Sequence, residues 1–320
     1  MQRRHALAAI AAATALPGLS LAQDKPLRIV VPFPPGGATD IAGRSLQEPL
    51  QRLLGQTVVI ENRAGAGGSI GMAEIARAAG DGLTFGVATL STHGVNPAVY
   101  PKLPYDPIKD FVGVTEIVKA PGIIVVNPQV LPVKDFADLV KYLKANPGKI
   151  SYATPGTGTI GHMWGELFKS ATGTSMVHIP YRGAGPALND VLGGQVPVYF
   201  DQVASSLPHV KSGKLKALAV SWPARLDVLP DVPTYAELGY KQANDASWFG
   251  LVAPASTPAP LVLRVQQAVA AALKEPAVRD RLAAQGLYPS GTTPADFSQQ
   301  IVREIDKMKR VAAYAKIKLD

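Results

Sequence analysis

Cysteine is absent from this chain of 320 residues. Without a thiol the protein forms no disulfide and carries no cysteine-linked lipid. Charged residues are also few, at 18%, whereas 47% of the residues are hydrophobic. This balance is typical of a chain that buries a sizeable core, and the length predicts one large domain or two of medium size.

The sequence also lacks a concentrated basic region, although its formal net charge is +8. Lysine and arginine are scattered along the chain, and no basic segment alternates with aromatic residues. Clusters of that kind are the electrostatic footprint of a nucleic-acid interface. We therefore expect no nucleic-acid partner.

Motifs for hydrolytic and metal-dependent catalysis are missing as well. The sequence contains no G-x-S-x-G and no H-E-x-x-H. The first motif marks a nucleophilic serine at a strand-to-helix turn, and the second marks a helical zinc site. We expect no catalytic residue, no metal and no cofactor, although a catalytic triad is defined by geometry and leaves no fixed spacing in a sequence.

The N-terminus carries an apolar stretch that is too short to span a membrane. This stretch, Ala6–Leu16, follows Arg3 and Arg4, and a membrane-spanning helix needs ~20 residues. A small-x-small cleavage site ends at Ala22. We expect residues 1–22 to be a signal peptide that is cleaved after Ala22, which leaves a periplasmic protein. The arginine pair leaves twin-arginine export open beside general secretory export.

The remaining chain repeats the order strand, glycine-rich turn, helix. The run Leu27–Phe33 predicts a buried strand, and Ala38–Leu54 predicts a helix that Pro49 kinks or breaks. Repetition of this unit predicts an α/β architecture with mainly parallel sheets. The pattern changes near residues 118–124 and 243–250. We interpret these segments as crossovers between one lobe, residues 23–122 plus 247–320, and a second lobe, residues 123–246.

Two corners of the predicted fold share one design. VVPFPPGGATD (Val30–Asp40) and YATPGTGTIGH (Tyr152–His162) each run from an apolar strand through proline and glycine into a helix. The first N–H groups of a helix lack helical acceptors, and the helix dipole places partial positive charge there. Glycine lets a ligand approach the main chain. Two such corners across a cleft would hold a small carboxylate without a charged side chain, although a parallel βα unit also uses glycine for structural reasons alone.

Other polar residues follow the predicted strands. In TLSTHGVN, Thr89, Ser91 and His93 could donate hydrogen bonds into the cleft, or form a capped loop in which His93 is only packed. His162 could orient a ligand oxygen or merely pack in its helix. The pattern Gly156-x-Gly158-x-x-Gly161 matches the dinucleotide-binding motif. However, Tyr181 and Arg182 occupy the positions where an acidic residue would bind the ribose. We expect no dinucleotide.

Five segments occur in order along the chain: PFPPGGATD, ENRAGAGGSIG, DGLTFGVATLSTHGVNP, YATPGTGTIGH and YRGAGPALNDVLGGQVPVYFD. Together they resemble the Bug/TctC family, the extracytoplasmic solute-binding receptors of tripartite tricarboxylate transporters. The resemblance implies a type II periplasmic binding protein, or Venus-flytrap fold, with two α/β lobes and a ligand cleft between them. It also implies a receptor that binds a small organic carboxylate, namely an amino acid, a di- or tricarboxylate, or an aromatic acid, and docks on a membrane permease. Nothing in the sequence suggests more than a monomer.

The resemblance also implies which residues bind the ligand. These are Phe33, Pro34, Gly36, Gly37 and Asp40 in the first corner, and Thr154, Gly156, Thr157, Gly158, Thr159 and His162 in the second. The motif Tyr181, Arg182, Gly183, Ala184, Gly185 and Pro186 lines the far side, with Asp201 at the next strand end. Pro197 departs from the family pattern, in which a polar residue is frequent, and a proline there fits an edge strand or a strand start.

The sequence thus favours a periplasmic receptor that captures a carboxylate for a tripartite tricarboxylate transporter. Two alternatives remain open. One is an exported enzyme that acts on a small carboxylate, and the other is a ligand-sensing module for a membrane kinase. The order of residues does not identify the carboxylate.

Overall fold

The structure is a computed structural model that describes residues 25–317 and residue 319. The expected signal peptide and its cleavage after Ala22 lie outside these residues. Among the described helices, none combines the length and the apolar character that crossing a bilayer requires.

The described chain alternates strands and helices. The strands are β1 (Leu27–Val31), β2 (Val58–Asn62), β3 (Thr84–Thr89), β4 (Phe111–Ala120), β5 (Gly122–Val126), β6 (Ser151–Thr154), β7 (Val177–Pro180), β8 (Val198–Gln202), β9 (Lys216–Ser221), β10 (Ser247–Pro254) and β11 (Tyr288–Pro289). The helices are α1 (Ala38–Leu54), α2 (Ser69–Ala76), α3 (Asn96–Val99), α4 (Phe136–Ala145), α5 (Ile160–Thr172), α6 (Ala184–Leu192), α7 (Val203–Lys211), α8 (Ala259–Ala272), α9 (Pro276–Ala283) and α10 (Pro294–Tyr314).

The strands form two sheets, one in each lobe. The first has the order β11-β4-β10-β3-β1-β2, and the second has the order β7-β6-β8-β5-β9. Two α/β lobes therefore make up the molecule. The chain crosses from the first sheet to the second at Pro121, the residue between β4 and β5. It returns between the end of β9 at Ser221 and the start of β10 at Ser247.

The prediction of mainly parallel sheets is wrong. Parallel pairing joins β1 to β2 and β3, and β6 to β7 and β8, but the other five pairs are antiparallel. The physical reason is the crossover. Strands β5 and β10 enter their sheets from the opposite lobe rather than after a covering helix, so each runs against its neighbours.

Helix α1 shows how side-chain packing can preserve a helix through a proline. The helix coincides with its predicted range, and it continues through Pro49 without the break that we considered. A proline at this position leaves the carbonyl of Ser45 without its usual N–H donor. The guanidinium of Arg281 in α9 donates to that carbonyl at 2.6 Å. Leu46 and Leu50 hold the same helix in a buried cluster with β1.

Candidate functional site

A narrow cavity lies between the two lobes. It is located where α1 of the first lobe and α5 and α6 of the second lobe begin. Its lining residues are Phe33, Gly37, Ala38, Thr39, Thr89, Ser91, Pro155, Thr159, Ile160, Gly161, Ala184, Gln202 and Phe249. None of these side chains is charged, so any electrostatic preference of this cavity for anions comes from main-chain N–H groups and helix dipoles.

The first wall of the cavity is the start of α1. Gly37 is the N-cap residue of α1, with φ −84° and ψ 166°, and no side chain caps this end of the helix. The first helical hydrogen bond of α1 runs from the N–H of Ile41 to the carbonyl of Gly37, at 3.0 Å. The N–H groups of Ala38 and Thr39 precede it and find no acceptor in the described part of the chain. They are therefore available to an anion.

Asp40 supports this corner instead of lining the cavity. Its carboxylate accepts hydrogen bonds from the N–H of Gly36 at 3.0 Å, from Nε of Arg44 at 2.9 Å and from Nδ2 of Asn62 at 2.9 Å. Gly36 adopts φ +86°, which closes the turn and favours glycine. The carboxylate thus fixes the turn that exposes the first N–H groups of α1.

The opposite wall is the start of α5. Thr159 caps this helix and donates its hydroxyl proton to the carbonyl of Gly156 at 2.6 Å. The N–H of Ile160 donates across the cleft to Oγ of Ser91 at 2.9 Å. The N–H of Gly161 has no acceptor among residues 25–317 and 319. This arrangement leaves at least one N–H of α5 for a ligand.

The lobes touch each other around the cavity, so the structure shows the closed cleft. Besides the bond between Ser91 and Ile160, the hydroxyl of Tyr100 donates to the carbonyl of Thr157 at 3.1 Å. A Cβ atom at Gly183 would lie 2.3 Å from Cδ of Pro34, and this shows how closely the two loops approach. Gly158 packs against the ring of Tyr100 in the same way.

A second opening, of about 220 Å³, lies in front of the cavity. Phe33 and Pro155 line both spaces and form the wall between them. The predicted site residues at this opening are Phe33, Gly156, Thr157, Tyr181 and Arg182. Tyr181 donates its hydroxyl proton to Asp190 at 2.7 Å.

Arg182 is the nearest cationic side chain to the front opening, and it is exposed to solvent. We expect Arg182→Ala to change the affinity for a bound carboxylate by less than about threefold, because an exposed charge contributes little through water. Titration calorimetry of the variant beside wild type measures this effect. A loss of tenfold or more would show that the guanidinium, and not the main chain, holds the anion.

His93 and His162 do not line the cavity. His93 is fully buried in the first lobe, where its ring lies 5.0 Å from that of Phe111, and burial lowers its pKa to about 3. His162 stacks on His178 with ring centroids 4.2 Å apart. Thr154 joins this cluster because its hydroxyl lies 2.7 Å from Nε2 of His178. These residues pack and position the helices of the site.

Asp201 and Gln202 occupy opposite faces at the end of β8. The carboxylate of Asp201 accepts hydrogen bonds from the hydroxyls of Ser205 at 2.5 Å and Ser206 at 2.8 Å. Because the carboxyl is buried, its pKa is raised to about 6. Successive side chains of a strand point to opposite faces, and it is Gln202, not Asp201, that lines the cavity.

The raised pKa of Asp201 predicts a pH-dependent stability. An unfolded aspartate ionises near pH 4, whereas the folded carboxyl keeps its proton up to about pH 6. Unfolding therefore becomes easier as the pH rises from 4 to 6, and the effect is complete above that range. We expect Asp201→Asn to exceed wild type in free energy of unfolding by up to about 3 kcal/mol at pH 7 and by little at pH 4. Urea titrations at both pH values measure the difference, and a constant difference would contradict this account.

Several lining residues were not named from the sequence. These are Ala38, Thr39, Pro155, Ile160, Gly161, Gln202 and Phe249. All but two belong to the quoted corner motifs, so their neighbours pointed to them. Gln202 and Phe249 lie at the ends of strands of different lobes, and the sequence carries no signal of which face they would occupy. Within the described residues no cluster of three metal-ligating side chains occurs.

Comparison with known proteins identifies relatives over almost the whole chain. Residues 42–317 match the family model TctC, described as the tripartite tricarboxylate transporter family receptor. The chain is 38% identical over 296 residues to the protein BugT of Bordetella pertussis, and the alignment covers 92% of this chain and 90% of BugT.

Solved structures share the fold closely. A periplasmic transporter is 47% identical with a TM-score of 0.90, over 92% of this chain and 98% of that one. R. palustris Rpa4515 with adipate is 35% identical with a TM-score of 0.88, over 91% and 97%. MatC from Rhodopseudomonas palustris with bound malate is 34% identical with a TM-score of 0.85, over 89% and 98%. This chain therefore belongs to the TctC family of periplasmic solute-binding receptors, which includes the Bug proteins.

Proposed function

We propose that this protein is a monomeric receptor that captures a small organic carboxylate between its lobes and delivers it to the membrane permease of a tripartite tricarboxylate transporter. One observation carries the proposal. Unbonded N–H groups of Ala38 and Thr39 in α1 and of Gly161 in α5 belong to opposite walls of one cavity that has no charged side chain. Such N–H groups at helix starts bind anions.

Two relatives support the choice of a carboxylate over other anions. The structure of Rpa4515 contains adipate and that of MatC contains malate. Both ligands are small carboxylic acids, and both proteins share the fold of this chain. The apolar walls formed by Phe33, Ile160 and Phe249 suit the carbon chain of such an acid.

The lobes are proposed to close as units, residues 23–122 plus 247–320 against residues 123–246. A carboxylate that accepts N–H bonds from α1 and from α5 makes both sets of bonds only when the cleft is closed, so binding favours closure. Charge-assisted bonds contribute about 1.5–3 kcal/mol each, and ordering of the solute offsets part of this gain. A few such bonds reach the ~−8 kcal/mol of a micromolar complex.

A ligand screen tests the proposal. The mature protein is examined by thermal shift and then by calorimetry against small mono-, di- and tricarboxylates and aromatic acids, each beside its uncharged amide. We expect at least one acid to bind and raise the melting temperature, while its amide does not. Binding of the amide as tightly as the acid would overturn the proposal, and so would a screen in which no acid binds.

A further inference from the structure

We infer that Gln202 hydrogen-bonds to the part of the solute beyond its anchored carboxylate. We also infer that the cavity prefers a hydroxy- or oxo-carboxylate to the matching α-amino acid. This inference rests on the proposed function and deepens it, because the main-chain anchor alone does not distinguish one carboxylate from another.

The position of Gln202 follows from the strand that carries it. It is the last residue of β8, directly before the first residue of α7. The side chain of Phe200, two residues earlier on the same face, packs against Phe168 of α5 with ring centroids 5.6 Å apart. The face of β8 that bears Gln202 is therefore the face against α5, where the cavity lies. β8 is also the central strand of its sheet, and Gln202 pairs there with Gly122 of β5.

The side chain of Gln202 is buried without a partner. Only 9% of the residue is exposed to solvent. Among the described residues its side chain forms no hydrogen bond, while its main-chain carbonyl accepts from Oγ of Ser205 at 3.1 Å. The residue lines the cavity, so its amide is open to a bound solute. A ligand atom in the adjoining cavity supplies the missing partner.

The other polar side chains of the cavity are mostly occupied. Thr89 accepts from the N–H of Thr92, Ser91 accepts from the N–H of Ile160, and the hydroxyl of Thr159 donates to a carbonyl. Among the described residues the amide of Gln202 and the hydroxyl of Thr39 therefore form no side-chain hydrogen bond to the protein, and the hydroxyl of Ser91 keeps its proton to donate.

The chemistry of an amide decides which group it accepts. A carboxamide both donates and accepts, so it pairs with a hydroxyl or a carbonyl oxygen of the solute. An α-ammonium group needs acceptors and a counter-charge when it leaves water. No carboxylate lines the cavity, and the neighbouring Asp201 is directed to Ser205 and Ser206. The cavity therefore disfavours the ammonium of an amino acid.

Matched pairs of acids test this inference by calorimetry. The pairs are lactate and alanine, malate and aspartate, and 2-hydroxyglutarate and glutamate, and each pair has its unsubstituted acid as reference. We expect wild type to bind the hydroxy acid of its preferred chain length at least about tenfold more tightly than the amino acid, since a site built to bond a hydroxyl discriminates strongly. Gln202→Leu should reduce the preference for the hydroxy acid over the unsubstituted acid about fivefold or more, and Gln202→Glu should shift the preference toward the amino acid.

Controls separate this inference from a loss of folding or of the anchor. Gln195→Leu makes the same chemical change at an exposed position outside the cavity and should leave every affinity unchanged. The unsubstituted acid is the reference ligand for every variant, so a general loss of affinity in Gln202→Leu cancels from the ratio that is compared. If no acid binds to wild type, the proposed function fails. If acids bind but wild type favours the amino acid or the unsubstituted acid, or Gln202→Leu keeps the wild-type preference, this inference alone is overturned.

Discussion

Replacing Gly37 with leucine will weaken carboxylate binding at least about 100-fold while the protein remains folded. A Cβ atom at Gly37 would lie 3.1 Å from Cβ of Ala184 in the other lobe, so a larger side chain fills the gap that closes on the solute. Forced contacts of this kind cost about 1–3 kcal/mol, and the same side chain also covers the N–H groups of α1. Calorimetry with the acid selected by the screen measures the loss.

The backbone of Gly37 makes this variant a clean test of closure. Its φ of −84° is accessible to leucine, and in the open cleft Ala184 is no longer opposite. We expect the melting temperature without ligand to stay within a few degrees of wild type. Gly37→Ala, which adds only the tight methyl contact, should give an intermediate affinity. Binding of Gly37→Leu within threefold of wild type would show that the solute does not lie between these two helix starts.

Replacing Asp40 with alanine will lower the free energy of unfolding by about 2–4 kcal/mol and weaken binding as well. Asp40 is 4% exposed, and its removal leaves the N–H of Gly36 without its acceptor and takes from Nδ2 of Asn62 one of two acceptors. A buried donor that loses its partner costs about 1–3 kcal/mol. The turn before α1 then loosens, so the N–H groups of Ala38 and Thr39 are no longer fixed for the anion. Urea denaturation and calorimetry measure the two effects.

Asp135→Ala is the matched control for this second variant. Asp135 is an exposed aspartate that caps α4 by accepting from the N–H of Asp138 at 2.8 Å, and it lies outside the cavity. Its loss should cost about 1 kcal/mol of stability and leave the affinity unchanged. Equal effects of the two substitutions on binding would show that Asp40 has no special part in shaping the site.

The parts of the fold that depend on local patterns were predictable from the sequence. Helix α1 has its predicted bounds, because hydrophobic periodicity and glycine at element ends are local signals. The two corner motifs also indicate where their helices begin, since proline and glycine at a strand end are typical of a turn.

Features that depend on pairing between distant segments were not predictable in the same way. The ten residues of β4 were missed, and so was α7. The antiparallel halves of the sheets follow from the route of the chain between lobes, which no local pattern encodes. Pro197 stands directly before β8, a strand start in the centre of its sheet, where its missing N–H removes no ladder bond.

Strand ends explain the largest difference within the candidate site. A shift of one residue exchanges the two faces of a strand, so the sequence alone did not decide between Asp201 and Gln202. His93 is packed against two aromatic residues, Phe111 and Tyr105, and both belong to later segments of the chain. In both cases the polar residue was visible in the sequence, and the direction of its side chain was not.

A crystal structure of the protein with the acid selected by calorimetry tests the central claim most directly. The account predicts a carboxylate oxygen within hydrogen-bonding distance, about 2.7–3.2 Å, of the main-chain nitrogen of Ala38 or Thr39, and another bond from Gly161 on the opposite wall. A carboxylate paired with Arg182 at the front opening, with these main-chain nitrogens free of the solute, would contradict it.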